Sequence, residues 1–218
     1  MDTAYTGHVE PDGDWQQRSD ATVRVRKLSV SQMDNNVYVV SCTRTGVAVL
    51  IDAADRADRL REATADVEVL AVLQTHGHWD HIRAMDDLAA DPGLPMWGNP
   101  GDASLFPGPL DRELVDGDRI AVGDIEVEVL HVPGHTDGSL MFLVEGSDRA
   151  HLFSGDTLFP GGPGATFGDR AAHARLMDGL DAVFARLPDE TWVYPGHGDD
   201  TTLGAERASL AEWRARGW

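Results

Sequence analysis

One cysteine and one lysine are all that this chain of 218 residues contains of either type. A lone thiol cannot close an internal disulfide, so the fold must hold together without that staple. Cys42 ends an apolar run away from every candidate ligand and is read as a small buried hydrophobe. Lys27 is the only lysine among 18 basic residues, which face 37 acidic ones for a formal net charge of −19. Phosphate backbones are held by clusters of Lys and Arg, so nucleic acid is not an expected partner. The acidic excess is read as a solvated coat. No stretch approaches the roughly 20 apolar residues of a membrane-spanning helix. Residues 1–20 carry acids, Pro11 and Gly13 but no apolar signal core. The expectation is a cytoplasmic protein with a loose N-terminal arm over 1–20 and a single domain over 21–218, long enough for one sizeable core. Gly161, Gly162, Pro163 and Gly164 lack the Gly-Lys-Ser/Thr of a phosphate loop and are read as a turn-rich rim.

Histidine, by contrast, is concentrated. Thr75, His76, Gly77, His78, Trp79, Asp80 and His81 follow the apolar run 67–73 and place three imidazoles and a carboxylate within six positions. A zinc-binding His-Glu-x-x-His helix separates its ligands by four residues, so no single helical face could carry this set. A loop leaving a strand can splay His76 and His78 one way and Asp80 and His81 the other, and two metals each taking part of the loop is the natural geometry. Buried polar groups need named partners, and metals supply them. Three further strand ends carry a glycine before a candidate ligand: Gly134 before His135, Gly155 before Asp156 and Gly196 before His197. Glycine permits the tight backbone path that brings such a side chain into a shared pocket. His8, His131, His151 and His173 fit no ligand pattern and are read as surface or hydrogen-bonded core histidines. Asp52 either orients a ligand histidine from behind or caps a turn. Trp79 is either a rim contact or packing.

Apolar periodicity supplies the frame. Residues 37–42 and 47–51 read as a hairpin around 43–46, and 119–122 with 125–132 as another around Gly123 and Asp124. Residues 140–144 and 152–154 add strands, and 56–65 is a short helix candidate. Ile82, Met85 and Leu88 predict a helix beside the metal loop. Leu176, Leu180, Val183, Phe184 and Leu187 mark a helical face that Pro188 stops, and Leu203, Leu210 and Trp213 mark a last helix. Strands in two groups, each followed by helices, fit two sheets packed together with helices outside.

The ordered set His-x-His-x-Asp-His at 76–81, Gly-His-Thr at 134–136, Gly-Asp-Thr-Leu-Phe at 155–159 and Pro-Gly-His at 195–197 resembles the metallo-β-lactamase fold superfamily, and within it the glyoxalase II-like hydrolases, over nearly all of the chain. The resemblance implies an α+β fold, an αββα sandwich of two packed mixed β-sheets with helices on the outer faces. It implies a first metal site at His76, His78 and His135, a second at Asp80, His81 and His197, and Asp156 bridging them. No ligand position carries the Arg or Cys found in many zinc β-lactamases, which points to the thioesterase and lactonase members. Glutathione-using members tend to show Gly-Cys-Gly and a basic residue after the bridging Asp; Gly162, Pro163, Gly164 and Ala165 stand there instead, which suggests another low-molecular-weight thiol.

The expected chemistry is hydrolytic. Two divalent ions roughly 3.5 to 4 Å apart can share a water, lower its pKa and present hydroxide to an acyl carbon. Asp156 suits the bridge because a carboxylate has two oxygens and a charge that offsets the dications. Asp80 is the candidate catalytic residue, binding the second ion while orienting the hydroxide, and the first ion can polarise the carbonyl. Zinc is the first choice of metal, with iron and manganese also suited to imidazole and carboxylate. The expected substrate is a small acyl thioester or ester, with no membrane partner. Alternatives are a mononuclear-iron persulfide dioxygenase built on His76, His135 and Asp156, a lactonase or other ester hydrolase, and a non-catalytic metal-binding protein.

Overall fold

A strand buried at every position cannot have a solvent side, and residues 35–42 form one. The computed structural model describes residues 5–90 and 93–217. In it, β1 (Gln16–Ser19), β2 (Val23–Val30), β3 (Asn35–Cys42), β4 (Val47–Ile51), β5 (Glu68–Leu73), β6 (Met96–Gly98) and β7 (Arg112–Glu113) form a sheet in chain order. Pairing is antiparallel up to β4 and parallel from β4 onward. A second sheet contains β8 (Arg119–Val122), β9 (Ile125–His131), β10 (Leu140–Glu145), β11 (Ala150–Gly155), β14 (Trp192–Pro195) and β15 (Thr201–Thr202). It is antiparallel except where β14 pairs parallel with β11. β12 (Leu158–Phe159) and β13 (Gly162–Pro163) make a small hairpin beside it.

Three apolar clusters stack as layers. The middle one joins the inner faces of both sheets, with Val25, Tyr38, Val40 and Leu73 against Val129, Leu140, Phe142 and Tyr194. An outer one sets α1 (Ala57–Ala63) and α2 (Met85–Ala89) on the first sheet through Leu60, Met85 and Leu88. The other sets α3 (Arg170–Arg186) and α5 (Leu210–Arg216) on the second through Leu176, Leu180, Phe184 and Trp213. This is the expected αββα sandwich of two mixed sheets, and burial on both faces explains why β3 shows no alternation. Among the described residues, no helix is long and apolar enough to cross a membrane.

Both expected hairpins are present, as β3 with β4 and β8 with β9. The helix marked by Ile82, Met85 and Leu88 keeps only Met85–Ala89, because residues 76–81 spend their backbone on the loop. The single last helix is two: α4 (Leu203–Arg207) and α5, with Thr202 capping the first at Ala205 N.

The loose arm expected over 1–20 needs correction for its described part. β1 pairs with β2, and Val9 is buried. Lys27, wholly buried, donates to Gly7 O at 2.7 Å, Gly198 O at 2.6 Å and Asp200 Oδ1 at 2.7 Å. Tyr5 donates to the other Asp200 oxygen at 2.5 Å. One buried ammonium therefore ties the N-terminal segment to the loop after β14. An unpaired buried charge is costly, so the contacts fix the arm rather than decorate it. Lys27→Met should strand the Asp200 carboxylate and lower unfolding free energy by about 3–5 kcal/mol, read as a reduced urea midpoint with an unchanged m-value.

Candidate metal centre

Parallel pairing of β4 with β5 and of β11 with β14 brings their C-terminal ends to one edge of the sandwich. β9 runs in the same direction as β11, since each is antiparallel to β10. The loops that leave β5, β9, β11 and β14 carry His76 to His81, His135, Asp156 and His197. All seven predicted ligands meet there. Ligand atoms lie within 4.8 Å of one another in three groups: His76, His78 and His135; His76, His81 and Asp156; and Asp80, His81 and His197. Asp156 lies between the outer groups, with Oδ1 3.4 Å from His81 Nε2 and Oδ2 3.5 Å from His135 Nε2 and 3.4 Å from His197 Nε2.

The hydrogen bonds of the ring nitrogens show which atoms point inward. His197 Nδ1 donates to Met33 O at 2.8 Å, and His135 Nδ1 to Ala165 O at 2.8 Å. His81 Nδ1 donates to Asp52 Oδ2 at 2.9 Å. Thr75 Oγ1 gives its proton to Asp52 Oδ2 at 2.8 Å and so accepts from His76 Nδ1 at 3.0 Å. In each neutral ring the lone pair is left on Nε2. His81 Nε2 and His197 Nε2 then face each other at 3.1 Å. His76 Nε2, His135 Nε2 and Asp156 Oδ1 are buried without a hydrogen-bond partner. Converging ring nitrogens around a buried carboxylate call for positive charge, as protons or as metal, and imidazole with carboxylate is a donor set that divalent metals accept.

Electrostatics agree. Burial opposes charge on His81, but Asp156 and Asp52 outweigh it and hold the ring pKa well above the ordinary imidazole value. Burial likewise opposes charge on His197, and hydrogen bonds to Asp156 and Asp80 push it up to about 9. Asp156, despite burial, is held well below the usual carboxylate range by His81 and His197. Desolvation, with the neighbouring His81, pushes His76 well below the imidazole range. Such a cluster binds positive charge as protons or as metal, and the two compete.

Residues behind the ligands complete the site. Asp52, at φ 64, accepts from Thr75 N at 2.7 Å as well as from Thr75 Oγ1 and His81, so it orients two ligands at once. Asp102 accepts from Gly77 N at 2.8 Å, Thr136 Oγ1 at 2.7 Å and Gly138 N at 2.8 Å, fastening the loop after β5 to the loop after β9. Asn35 donates to Asp80 Oδ2 at 3.1 Å. Asn36 donates to Pro195 O and Gly198 O at 2.9 Å each, and Tyr38 to Pro195 O at 2.7 Å. A Cβ at Gly196 would overlap Asp156 Oδ1, which explains the glycine before His197. Asp102, Asn35, Asn36 and Lys27 carry no local signal in sequence, since each acts across loops distant in the chain.

Trp79 is 62% exposed with the Arg83 guanidinium 4.2 Å from its ring, so it belongs to the rim and not to the core. His173 bonds Trp213 O at 3.2 Å, His151 bonds Tyr194 Oη at 2.8 Å, His131 bonds Asp137 O at 2.8 Å and His8 pairs with Asp199 at 2.6 Å; none reaches the centre. Asp20, Asp148 and His151 also lie close together, but Asp20 is committed to Thr22 N, Val23 N and Ser147 N as a turn cap.

Asp156→Ala should abolish most binding of a second metal ion, whereas His173→Ala should leave metal content near that of the parent; elemental analysis of both purified variants checks this. Asp52→Ala frees His81 and His76 to rotate, and metal affinity should fall by about 10–100-fold, measured by competition with a chromophoric chelator.

The Metallo-beta-lactamase superfamily model matches residues 31–197, a span that includes all seven candidate ligands. A hydroxyacylglutathione hydrolase from Rhodospirillum rubrum is 35% identical over 178 residues, covering 81% of this chain and 67% of that protein. The solved structure of TTHA1623 in a di-iron-bound form matches with a TM-score of 0.72 and 32% identity over 83% of this chain and 96% of its own. ETHE1 from Myxococcus xanthus matches with a TM-score of 0.76 and 31% identity over 88% and 84%. The chain belongs to the metallo-β-lactamase superfamily.

Proposed function

We propose that this protein is a cytoplasmic metal-dependent hydrolase that cleaves a small acyl thioester. The observation that carries this reading is the position of Asp156 between two groups of imidazoles whose Nε2 atoms converge. His76, His78 and His135 would hold one divalent ion, Asp80, His81 and His197 the other, and Asp156 would touch both. Zinc, iron and manganese all suit these donors. Bound in such a pair, divalent ions acidify a water and polarise a carbonyl.

The chain's own residues set the geometry for that chemistry. Asp80 Oδ2 sits 3.4 Å from His197 Nε2 and accepts from Asn35, and as a carboxylate the group can orient a water by accepting a proton. Asp52 and the Met33 and Ala165 carbonyls keep each Nδ1 protonated and each Nε2 available. No side-chain nucleophile is needed, and Cys42 is buried in the core between the sheets. Similarity to a hydroxyacylglutathione hydrolase supports a thioester substrate. The Gly162–Pro163 strand, where a Gly-Cys-Gly and a basic residue were expected of a glutathione enzyme, favours a different thiol.

A second reading, a mononuclear-iron persulfide dioxygenase, is supported by the His76, His135 and Asp156 face and by likeness to ETHE1 from Myxococcus xanthus. Thiol release from a panel of acyl thioesters, with lactones alongside, should scale with the fraction of chains holding two metal ions, quantified in the same sample. Well-metallated protein that releases no thiol but consumes oxygen with a persulfide would overturn the hydrolase reading.

A further inference from the structure

Large exposed apolar side chains gather around the centre. Met33 is 45% exposed, Trp79 62%, Leu105 44% and Phe167 76%. Each is attached to the site. Met33 supplies the carbonyl that accepts from His197. Trp79 stands between ligands His78 and Asp80 in the metal loop. Leu105 packs against Gly77, so closely that a Cβ there would lie 2.6 Å from its own Cβ. The Phe167 ring is centred 5.9 Å from the rings of both His78 and His135. Half-buried Phe159 adds a ring 6.3 Å from His197.

Phe167 also carries a cost. Its φ is 54, a left-handed backbone that a bulky side chain adopts only under constraint. Such strain costs on the order of 1–3 kcal/mol and gathers at functional sites. Burial does not offset it here, because the ring is mostly in solvent. What the conformation achieves is placement of an aromatic face at the mouth of the centre. Charge at the rim points the same way: Arg83, stacked on Trp79, is already paired with Asp55 at 2.8 Å, and the chain is strongly acidic, so a polyanionic substrate finds little to hold it.

We propose that Phe167, Trp79, Leu105 and Met33 form a specificity rim that binds an apolar group attached to the scissile carbonyl, so that the substrates are thioesters bearing a hydrocarbon acyl chain or an apolar thiol. The kinetic part rests on the hydrolase reading; the binding part stands without it. The strained aromatic yields a sharp variant, because Phe167→Gly removes the ring and suits the positive φ.

Two measurements test this. In the first, decanoate and acetate are titrated into metal-loaded protein by calorimetry. Decanoate should bind about tenfold or more tightly than acetate, and Phe167→Gly should lose most of that preference while its Tm holds or rises. Val115→Ser, at an exposed apolar site on the link between β7 and β8, should keep the preference. Equal binding of the two acids, no binding of either, or a preference unchanged in Phe167→Gly would overturn the proposal even if every thioester proves inert. In the second, kcat/KM is followed as acyl length grows on N-acetylcysteamine, and as the thiol grows more apolar on an acetyl group. The arm showing the gain identifies which side of the carbonyl meets the rim, and a gain in neither arm from an active enzyme contradicts it.

Discussion

His81 Nε2 and His197 Nε2 face each other at 3.1 Å, each on a ring whose other nitrogen is already committed to an acceptor. Two ring nitrogens at that distance repel unless positive charge, as a proton shared with Asp156 and Asp80 or as a metal ion, lies between or beside them. The same holds for His76 Nε2, His135 Nε2 and Asp156 Oδ1, buried with nothing to bond. A fold that brings so many acceptors together must hold them there against their repulsion, and much of the remaining structure does so. Asp52 fixes His81 directly and His76 through Thr75. Asp102 fixes the first loop to the His135 loop. Asn36, Tyr38 and Lys27 hold the His197 loop by its carbonyls. Strain at Asp52, in the left-handed region, persists because these contacts over-determine it.

The sandwich makes this possible by geometry alone. Strands buried on both faces are rigid, and their parallel neighbours end on one edge, so short loops deliver ligands from four strands to one point. Glycine enters where the approach is closest: at Gly196 a side chain would collide with Asp156, and at Gly134, at φ 152, a Cβ would lie 2.5 Å from Leu176 Cβ. The glycine before each isolated ligand therefore reflects crowding as much as turn conformation.

Much of this was legible in the chain. The dense run at 76–81 and the three Gly-preceded residues named the seven candidate ligands that the structure groups together, because loops of this kind carry their chemistry in contiguous sequence. The hairpins β3–β4 and β8–β9 were legible from turn residues flanked by apolar runs. β2 was not, because Arg24, Arg26 and Lys27 break its apolar pattern, and each is accommodated by partners outside the strand: Asp66 for the arginines, with Gln17 for Arg26, and Asp200 for the lysine. For the same reason the packing of residues 5–20 was hidden: its anchor is a buried lysine whose acceptors lie at Gly7, Gly198 and Asp200. Asp102 looked like any acid in a polar turn, and only the meeting of two loops makes it an anchor. Local pattern reveals ligands; the groups that aim them depend on tertiary pairing.

The central claim is that these seven side chains form a pocket for two cations. Anomalous diffraction at the zinc edge from crystals of zinc-loaded protein tests it most directly. Two peaks are predicted, one bounded by His76, His78 and His135, the other by Asp80, His81 and His197, with Asp156 in contact with both. A single peak, or peaks elsewhere with His81 and His197 still facing each other unbridged, would contradict it.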